Sequence, residues 1–475
     1  MASMYLWCSC IFSHMFYLLC LSSLLLFFSC ECSEAPHSST RVRFLPGFQG
    51  ELPFKLHTGY ITIDERNENR LFYYLVESQR NPREDPLMLW LPGGPGFSGL
   101  AAMTYHIGPI RFKDAKFQES DEEYVPELVI NPYSWTKICS IIFLDFPTGT
   151  GFSYSRASED YQTSETKIFN DVHKFLIQWF MEYPEFLSNP LYLGGVSHSG
   201  LTVPAVTYGL ASDMEAGKEP RLNLKGYMVG NPYTNQDFDN QRIPFAHGMG
   251  LISDELYQAA KDSCGGMYEK PRSRVCAQNI QAALQCVSGI NKHHILEPNC
   301  ENLGAAEVLF KGRARYLQEY KHYTHYPPYC RESSYKFVDI WANKKQVREA
   351  IHVQKDTVGE WQMNSKKFNL THDVFDSIGY HLSLTTKGYR ALIYSGDHDF
   401  VATFLGTEAW IRYLNFSIVH EWHSWMVDGQ VGGFTRQYAN DLTYATVKGA
   451  GHSAPEYKPK ECFVMFYRWI SSLPL

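Results

Sequence analysis

An apolar run, Leu191-Tyr192-Leu193-Gly194-Gly195-Val196, stops at Ser197 and gives way to Ser199-Gly200-Leu201-Thr202-Val203-Pro204-Ala205-Val206, which can pack as a helix. This is the shape of a nucleophile elbow. A sharp strand-to-helix turn lifts one serine out of a sheet, and the turn closes only when the residues two before and two after it are small. Gly195 and Ser199 hold those places around Ser197. Alone, the stretch is equally a Gly/Ser-rich loop, because short G-x-S patterns are common. The remainder of the chain decides between them.

Strand and helix signals alternate on both sides of the elbow. Tyr60-Ile61-Thr62-Ile63 and residues 71–76 have the period of two expected of an antiparallel start to a sheet. Leu87-Met88-Leu89-Trp90-Leu91 and residues 138–145 are unbroken apolar runs, as strands buried on both faces require. Residues 163–182 place Ile168, Val172, Phe175, Leu176, Trp179 and Phe180 on one helical face. Strands follow at 224–230 and 389–395, a helix at 404–414, hairpin strands over 424–446 around Asp428-Gly429 and Gly432-Gly433, and an amphipathic helix at 460–473. Strands alternating with helices predict an α/β fold with a mostly parallel central sheet. Residues 231–341 break the rhythm, are polar and carry a cysteine cluster; they are expected to form a cap insertion over the sheet, within one domain spanning 35–475.

The net charge of −7 with no long basic run argues against nucleic acid or an anionic membrane surface as partner. The N-terminus differs from the rest. Residues 16–30 are apolar but short for a bilayer span, and small residues follow, so 1–34 reads as a secretory signal peptide, with no membrane association after cleavage. The absence of Lys and Arg ahead of the apolar run leaves a signal anchor as the alternative. Of twelve cysteines, seven lie beyond this segment, and five of those fall between 264 and 330. In an oxidising compartment they read as a disulfide framework, and the lack of any C-x-x-C pair argues against zinc. The sequons at Asn369 and Asn415 agree with secretion to the vacuole or the exterior.

Two later sites complete the elbow. Ser395-Gly396-Asp397-His398-Asp399-Phe400 and Lys448-Gly449-Ala450-Gly451-His452-Ser453 each follow a strand, where doubly wound sheets gather their functional residues. The order serine, aspartate, histidine is that of α/β-hydrolases. A serine hydroxyl needs a base to take its proton, histidine does so near neutrality, and a buried carboxylate fixes the imidazole tautomer. Ser197, Asp399 and His452 are therefore the expected catalytic residues. Asp399 is preferred because it sits deeper in its loop, whereas Asp397 is better placed to brace the turn. The turn after residues 87–91, Pro92-Gly93-Gly94-Pro95-Gly96, offers close backbone N–H groups for an oxyanion, with the N–H of His198 as the second donor.

These blocks, Trp90-Leu91-Pro92-Gly93-Gly94-Pro95-Gly96, Gly195-Val196-Ser197-His198-Ser199-Gly200, Gly396-Asp397-His398-Asp399 and Gly449-Ala450-Gly451-His452-Ser453-Ala454-Pro455, resemble those of the serine carboxypeptidase family. Residues 69–74, 244–252 and 294–298 resemble its plant serine carboxypeptidase-like branch, which includes acyltransferases. The likeness covers about residues 40–475. It implies an α/β-hydrolase fold, Ser197, Asp399 and His452 as the triad, and Gly94 and His198 as oxyanion donors. No metal or other cofactor is implied.

The chain departs from the family's peptidases at telling places. They recognise a terminal carboxylate with an Asn before the Gly-Gly pair and a Glu before the nucleophile; here those positions are Pro92 and Val196, and Val196 departs as well from the Asp that the related acyltransferases usually keep there. Each missing charge-assisted hydrogen bond costs roughly 1.5–3 kcal/mol. Pro92, Gly93 and Val196 are thus the candidate pocket residues. His198 replaces the usual Tyr. Phe97 replaces a Cys whose usual partner, by the resemblance, would be Cys330; Cys264–Cys276 and Cys286–Cys300 are the expected disulfides, with the pairing left open by the sequence alone. The leading expectation is an acyltransferase that moves an acyl group from an activated ester, in this branch commonly a sugar ester, to a plant metabolite, its partners being a small-molecule donor and acceptor. A carboxypeptidase or esterase, and a non-catalytic companion of an active paralogue, are the alternatives.

Overall fold

The computed structural model describes residues 40–113, 124–300 and 330–475; the signal-peptide reading of residues 1–34 lies outside them. Leu71, Tyr73 and Leu75 pack on one side of the sheet, and Phe72, Tyr74 and Val76 on the other. Successive residues of a strand point to opposite faces, so a strand buried twice must be apolar throughout.

The main sheet has eleven strands: β1 (Thr40–Val42), β2 (Leu56–Asp64), β3 (Asn69–Val76), β4 (Leu87–Leu91), β5 (Ser140–Leu144), β6 (Leu191–Val196), β7 (Leu224–Gly230), β8 (Arg390–Gly396), β9 (Ile418–Val427), β10 (Gln430–Tyr438) and β11 (Leu442–Val447). Their spatial order is β1-β2-β3-β5-β4-β6-β7-β8-β11-β10-β9. The six central strands, β5 through β11, are mutually parallel, and antiparallel strands flank them at both edges. This is the α/β-hydrolase architecture expected.

Helices close both faces. One face is covered by α1 (Glu165–Glu182), α2 (Ser199–Glu215), α5 (Ile378–Thr386) and α6 (Phe404–Tyr413), through side chains such as Phe175, Trp179, Val206 and Trp410. The other is covered by α7 (Pro459–Ile470), through Met465, Phe466 and Trp469, and by Phe337 and Trp341. The predicted face of α1 is buried in full, and Ser164 caps its first turn by accepting from Lys167 N.

Between β7 and β8, helices Arg242–Gly248, α3 (Asp254–Cys264) and α4 (Arg274–Cys286) build a small core of their own around Ile243, Phe245, Ala260 and Ala283. Residues near 341 belong instead to the main core, and Trp341 Nε1 donates to Pro46 O at 2.7 Å.

The disulfides partly differ from expectation. Cys264 pairs with Cys276 as expected, but Cys300 pairs with Cys330, and Cys286 is free and exposed. The fold brings Cys330 to a Cα–Cα distance of 5.9 Å from Cys300, within bridging reach, while Cys286 ends α4 on its solvent side. Cys330 therefore needs no partner at Phe97, whose ring stacks on His106 instead.

The hairpin turn falls at Asp428-Gly429, both with positive φ, as expected. Gly432 and Gly433 make no turn. They lie within β10, where a Cβ on Gly433 would come within 1.8 Å of Thr446 O.

Candidate active site

The parallel strands end in register: Leu91 is opposite Gly195, Val196 opposite Gly230, Gly230 opposite Tyr394, and Gly396 opposite Val447. The loops after β4, β6, β7, β8 and β11 therefore open at one edge, and each delivers a residue to a single point.

Ser197 occupies the turn between β6 and α2 with φ of +62°, a left-handed conformation that a non-glycine residue adopts only under constraint. Three backbone hydrogen bonds impose it: Ser197 N donates to Gly230 O, and Ser197 O accepts from Gly200 N and Tyr233 N. Small neighbours are a steric requirement. A Cβ on Gly195 would lie 2.6 Å from Leu91 O and 2.8 Å from Ser199 Cβ. Ser199 Oγ donates to Pro92 O at 3.0 Å and ties the elbow to the Gly-Gly turn.

His452 Nε2 lies 2.8 Å from Ser197 Oγ, and His452 Nδ1 lies 2.7 Å from Asp399 Oδ2. Asp399 is fully buried and only accepts, so Nδ1 carries the proton and Nε2 is free to accept from the serine hydroxyl. Asp399 Oδ1 accepts from Val401 N, and Oδ2 also accepts from Ala402 N and Asn231 Nδ2. Asp397, as expected, braces the turn: its Oδ1 accepts from Gly449 N and His398 Nδ1.

Gly93 and Gly94 lie beside the nucleophile. A Cβ on Gly93 would fall 2.6 Å from Ser197 Cβ, and Gly94 has φ of +119°. His198 immediately precedes α2, whose first N–H groups have no intrahelical acceptor. Val196 and Gly93 line a cavity of about 580 Å³ above the serine, together with Phe97, His106, Arg331 and Glu456. Pro92 is buried beneath the turn and is not among the lining residues. A second cavity, of about 410 Å³, is lined by Glu165, His198, Leu201, Tyr233, His372 and Phe375. Gly94, Ser197, Val401 and His452 border both.

Several residues of the site carry no sequence motif. Asn231 follows β7 directly, and its place at a strand's carboxyl end is the one signal that pointed to it. The cap supplies His293, whose carbonyl accepts from His452 N at 2.7 Å. In the larger cavity, burial pushes the Glu456 carboxyl up to about 7, although Arg331 and the Tyr335 hydroxyl, 2.8 Å from its Oε1, act in the opposite sense. Burial, with a smaller repulsion from His452, lowers His106 to about 4, so its imidazole is neutral. In the smaller cavity, burial disfavours the charge on Glu165, but His198, the Asp373 N–H and His372 outweigh it and hold the carboxyl well below the carboxylate range.

A serine raised on a strand-to-helix turn, hydrogen-bonded to a histidine that an aspartate orients, on a parallel sheet of this order, defines a serine hydrolase-type site on an α/β-hydrolase fold. The chain belongs to the serine carboxypeptidase family, whose sequence profile matches residues 46–472. It is 44% identical over 443 residues to serine carboxypeptidase-like 11 of Arabidopsis thaliana, covering 92% of this chain and 95% of that one. It is 43% identical over 449 residues to serine carboxypeptidase-like 19 of the same plant, covering 92% and 95%. In fold it is similar to the crystal structure of Kex1(delta)p, a prohormone-processing carboxypeptidase from Saccharomyces cerevisiae, with a TM-score of 0.68, 19% identity and coverage of 88% of this chain and 92% of that one.

Proposed function

We propose that this protein is an acyltransferase that carries an acyl group from an activated ester, of the sugar-ester class, through acyl-Ser197 to a small-molecule acceptor. The observation that carries this reading is Val196. An apolar, buried side chain lines the larger cavity where the family's peptidases use a Glu to hold a peptide carboxylate, and Pro92 takes the place of its Asn partner. A carboxylate entering there loses its water without gaining those partners. The two cavities that share Ser197 and His452 add room for an acyl group and an alcohol on separate sides.

The chemistry follows from the hydrogen bonds. Ser197 Oγ attacks the ester carbonyl as His452 Nε2 takes its proton, and Asp399 stabilises the imidazolium. The N–H groups of Gly94 and His198 receive the oxyanion. The tetrahedral intermediate collapses, the leaving alcohol departs with the proton from His452, and acyl-Ser197 remains. The acceptor hydroxyl then gives its proton to His452 and attacks the acyl carbon, and Ser197 leaves with that proton restored. Water at about 55 M competes with the acceptor, so transfer rests on the acceptor being held in place.

Secretion accords with this reading. Asn369 and Asn415, the proposed glycosylation sites, are both exposed.

The test offers the purified protein sugar esters of phenolic acids with a panel of alcohol and amine acceptors, and traps the adduct on Ser197 by mass spectrometry. Acyl-Ser197 formed from the ester, with transfer exceeding hydrolysis, is the expected result. Efficient release of the C-terminal residue from blocked dipeptides would establish a carboxypeptidase instead. Failure of Ser197 to react with a fluorophosphonate would establish a non-catalytic companion.

A further inference from the structure

Three side chains with metal-ligating atoms converge at the wall of the smaller cavity, and the proposed acyl transfer uses none of them. Glu165 is the first residue of α1, His198 sits on the elbow beside the nucleophile, and His372 comes from the segment ahead of α5. Glu165 Oε1, His198 Nε2 and His372 Nδ1 all lie within 4.8 Å of one another. We propose that they form a three-ligand site for a divalent transition metal, zinc foremost, whose fourth position opens into the cavity shared with Ser197.

The carboxylate comes first. The Glu165 side chain is 0% exposed, and among the described residues no Lys or Arg pairs with it. A buried carboxylate must be compensated. Its Oε2 is held by the Asp373 N–H at 2.9 Å, which leaves Oε1 aimed at the two imidazoles. Its place at the start of an 18-residue helix favours the anion further.

The histidines are unequal, and that asymmetry points to an added ligand. His372 Nδ1 donates to Glu165 Oε1 at 2.7 Å. His198 Nε2 stands 3.4 Å from the same oxygen, within ion-pair reach, yet it is buried and makes no hydrogen bond. A closed hydrogen-bond network would have satisfied that nitrogen. Zinc holds N and O ligands at about 2.0–2.2 Å, so tetrahedral neighbours stand roughly 3.3 Å apart. The His198–Glu165 separation already matches. The His372–Glu165 contact must open by about half an ångström on that geometry, and the His372 side chain is 59% exposed.

Two imidazoles and one carboxylate suit zinc with one position left for an outside ligand. All three side chains line the cavity that also contains Ser197 and His452. The open position is therefore available to a ligand bearing a hydroxamate, carboxylate or phenolate oxygen. The triad needs no metal, so the site is an addition to the serine chemistry and independent of its outcome. Zinc at Nδ1 requires the His372 tautomer that carries its proton on Nε2, because only an unprotonated ring nitrogen can ligate.

The test titrates zinc chloride into the chelator-stripped mature chain by isothermal calorimetry. One zinc per chain in the micromolar range or tighter is expected. His372→Ala alters a largely exposed side chain and leaves the fold in place; it should weaken binding at least tenfold. Glu165→Gln, with its fold checked by circular dichroism, should do the same. The surface pair His420→Ala/His423→Ala should bind zinc as the parent does. Acetohydroxamate should bind the zinc-loaded chain and not the stripped chain. Absence of zinc binding below about 10 μM, parental affinity in His372→Ala, loss of binding in the surface variant, or indifference to acetohydroxamate would overturn the proposal.

Discussion

Asn231 donates its side-chain N–H to Oδ2 of Asp399 at 2.8 Å, the same oxygen that His452 Nδ1 reaches at 2.7 Å. Its Oδ1 accepts from Gly396 N at 3.1 Å, so one amide bridges the strand that ends at Gly396 and the carboxylate beyond it. Its own φ of +40° suits Asn better than most residues. The aspartate is thus held from the far side of the sheet opening, by a residue distant from it in sequence.

Replacing that amide tests whether Asp399 needs it. Asn231→Ala removes a hydrogen bond to a buried charge, worth roughly 1.5–3 kcal/mol. The expected result is a fall in kcat of about ten- to a hundredfold with KM little changed. Asn231→Asp should be worse, because it brings a second carboxylate against Asp399. Steady-state kinetics on an activated ester, with folding checked by circular dichroism, reads both.

The elbow leaves no space at Gly195. Gly195→Ala places a methyl 2.6 Å from Leu91 O. Overpacking of this kind costs about 1–3 kcal/mol and displaces the turn. Fluorophosphonate labelling of Ser197 should fall sharply. Gly248→Ala, where nothing lies within 4 Å of the added methyl, is the control and should label as the parent does. Equal labelling of the two variants would show that the turn tolerates a side chain there.

Cys300–Cys330 spans 30 residues of sequence and should carry substantial stability, whereas Cys286 is unpaired. Loop closure of this length predicts a loss of roughly 3–4 kcal/mol for Cys300→Ser. Cys286→Ser should stay within about 0.5 kcal/mol of the parent. Urea unfolding under non-reducing conditions separates the two, and a comparable loss in both variants would restore the Cys286–Cys300 pairing.

Glu456 gives stability a pH dependence of defined sign. Its carboxyl is raised from an ordinary 4.5 to about 7, chiefly by burial. Between those values the folded state binds more protons than the unfolded state, so the stability this group confers is complete below 4.5 and is lost as pH rises through 7. Glu456→Gln mimics the protonated form and keeps an acceptor for the Tyr335 hydroxyl. It should match the parent at pH 4 and exceed it at pH 8 by up to roughly 3 kcal/mol. Parallel stability profiles for parent and variant across this range would count against it.

Much of this fold is written locally. Residues 87–91 and 191–196 are apolar without interruption because both faces of a parallel strand are covered. Elbow, aspartate loop and histidine loop each follow such a strand, so the proposed triad was legible from strand ends and chain order. Asp397 and Asp399 were separable by depth in the loop, and the structure places them as that argument required. The cysteines were not legible in the same way. Cα separations depend on how the cap folds; with Phe97 in place of the family's Cys, Cys286 was the expected partner of Cys300, where the fold favours Cys330. Gly432 and Gly433 carry the composition of a turn, but their smallness serves Trp425 and β11 across the sheet.

The sequence by itself determined the class of fold and the family, and it singled out the three residues proposed as the triad at the ends of β6, β8 and β11, because strand periodicity and turn sterics act over a few neighbouring residues. The tertiary structure alone decided what surrounds them. Asn231 on Asp399, His293 behind His452, the Arg331 and Glu456 wall, and the meeting of Glu165, His198 and His372 join segments tens to hundreds of residues apart. Such contacts exist only once the sheet has set its strand order and the cap has closed over it, so no local pattern announces them.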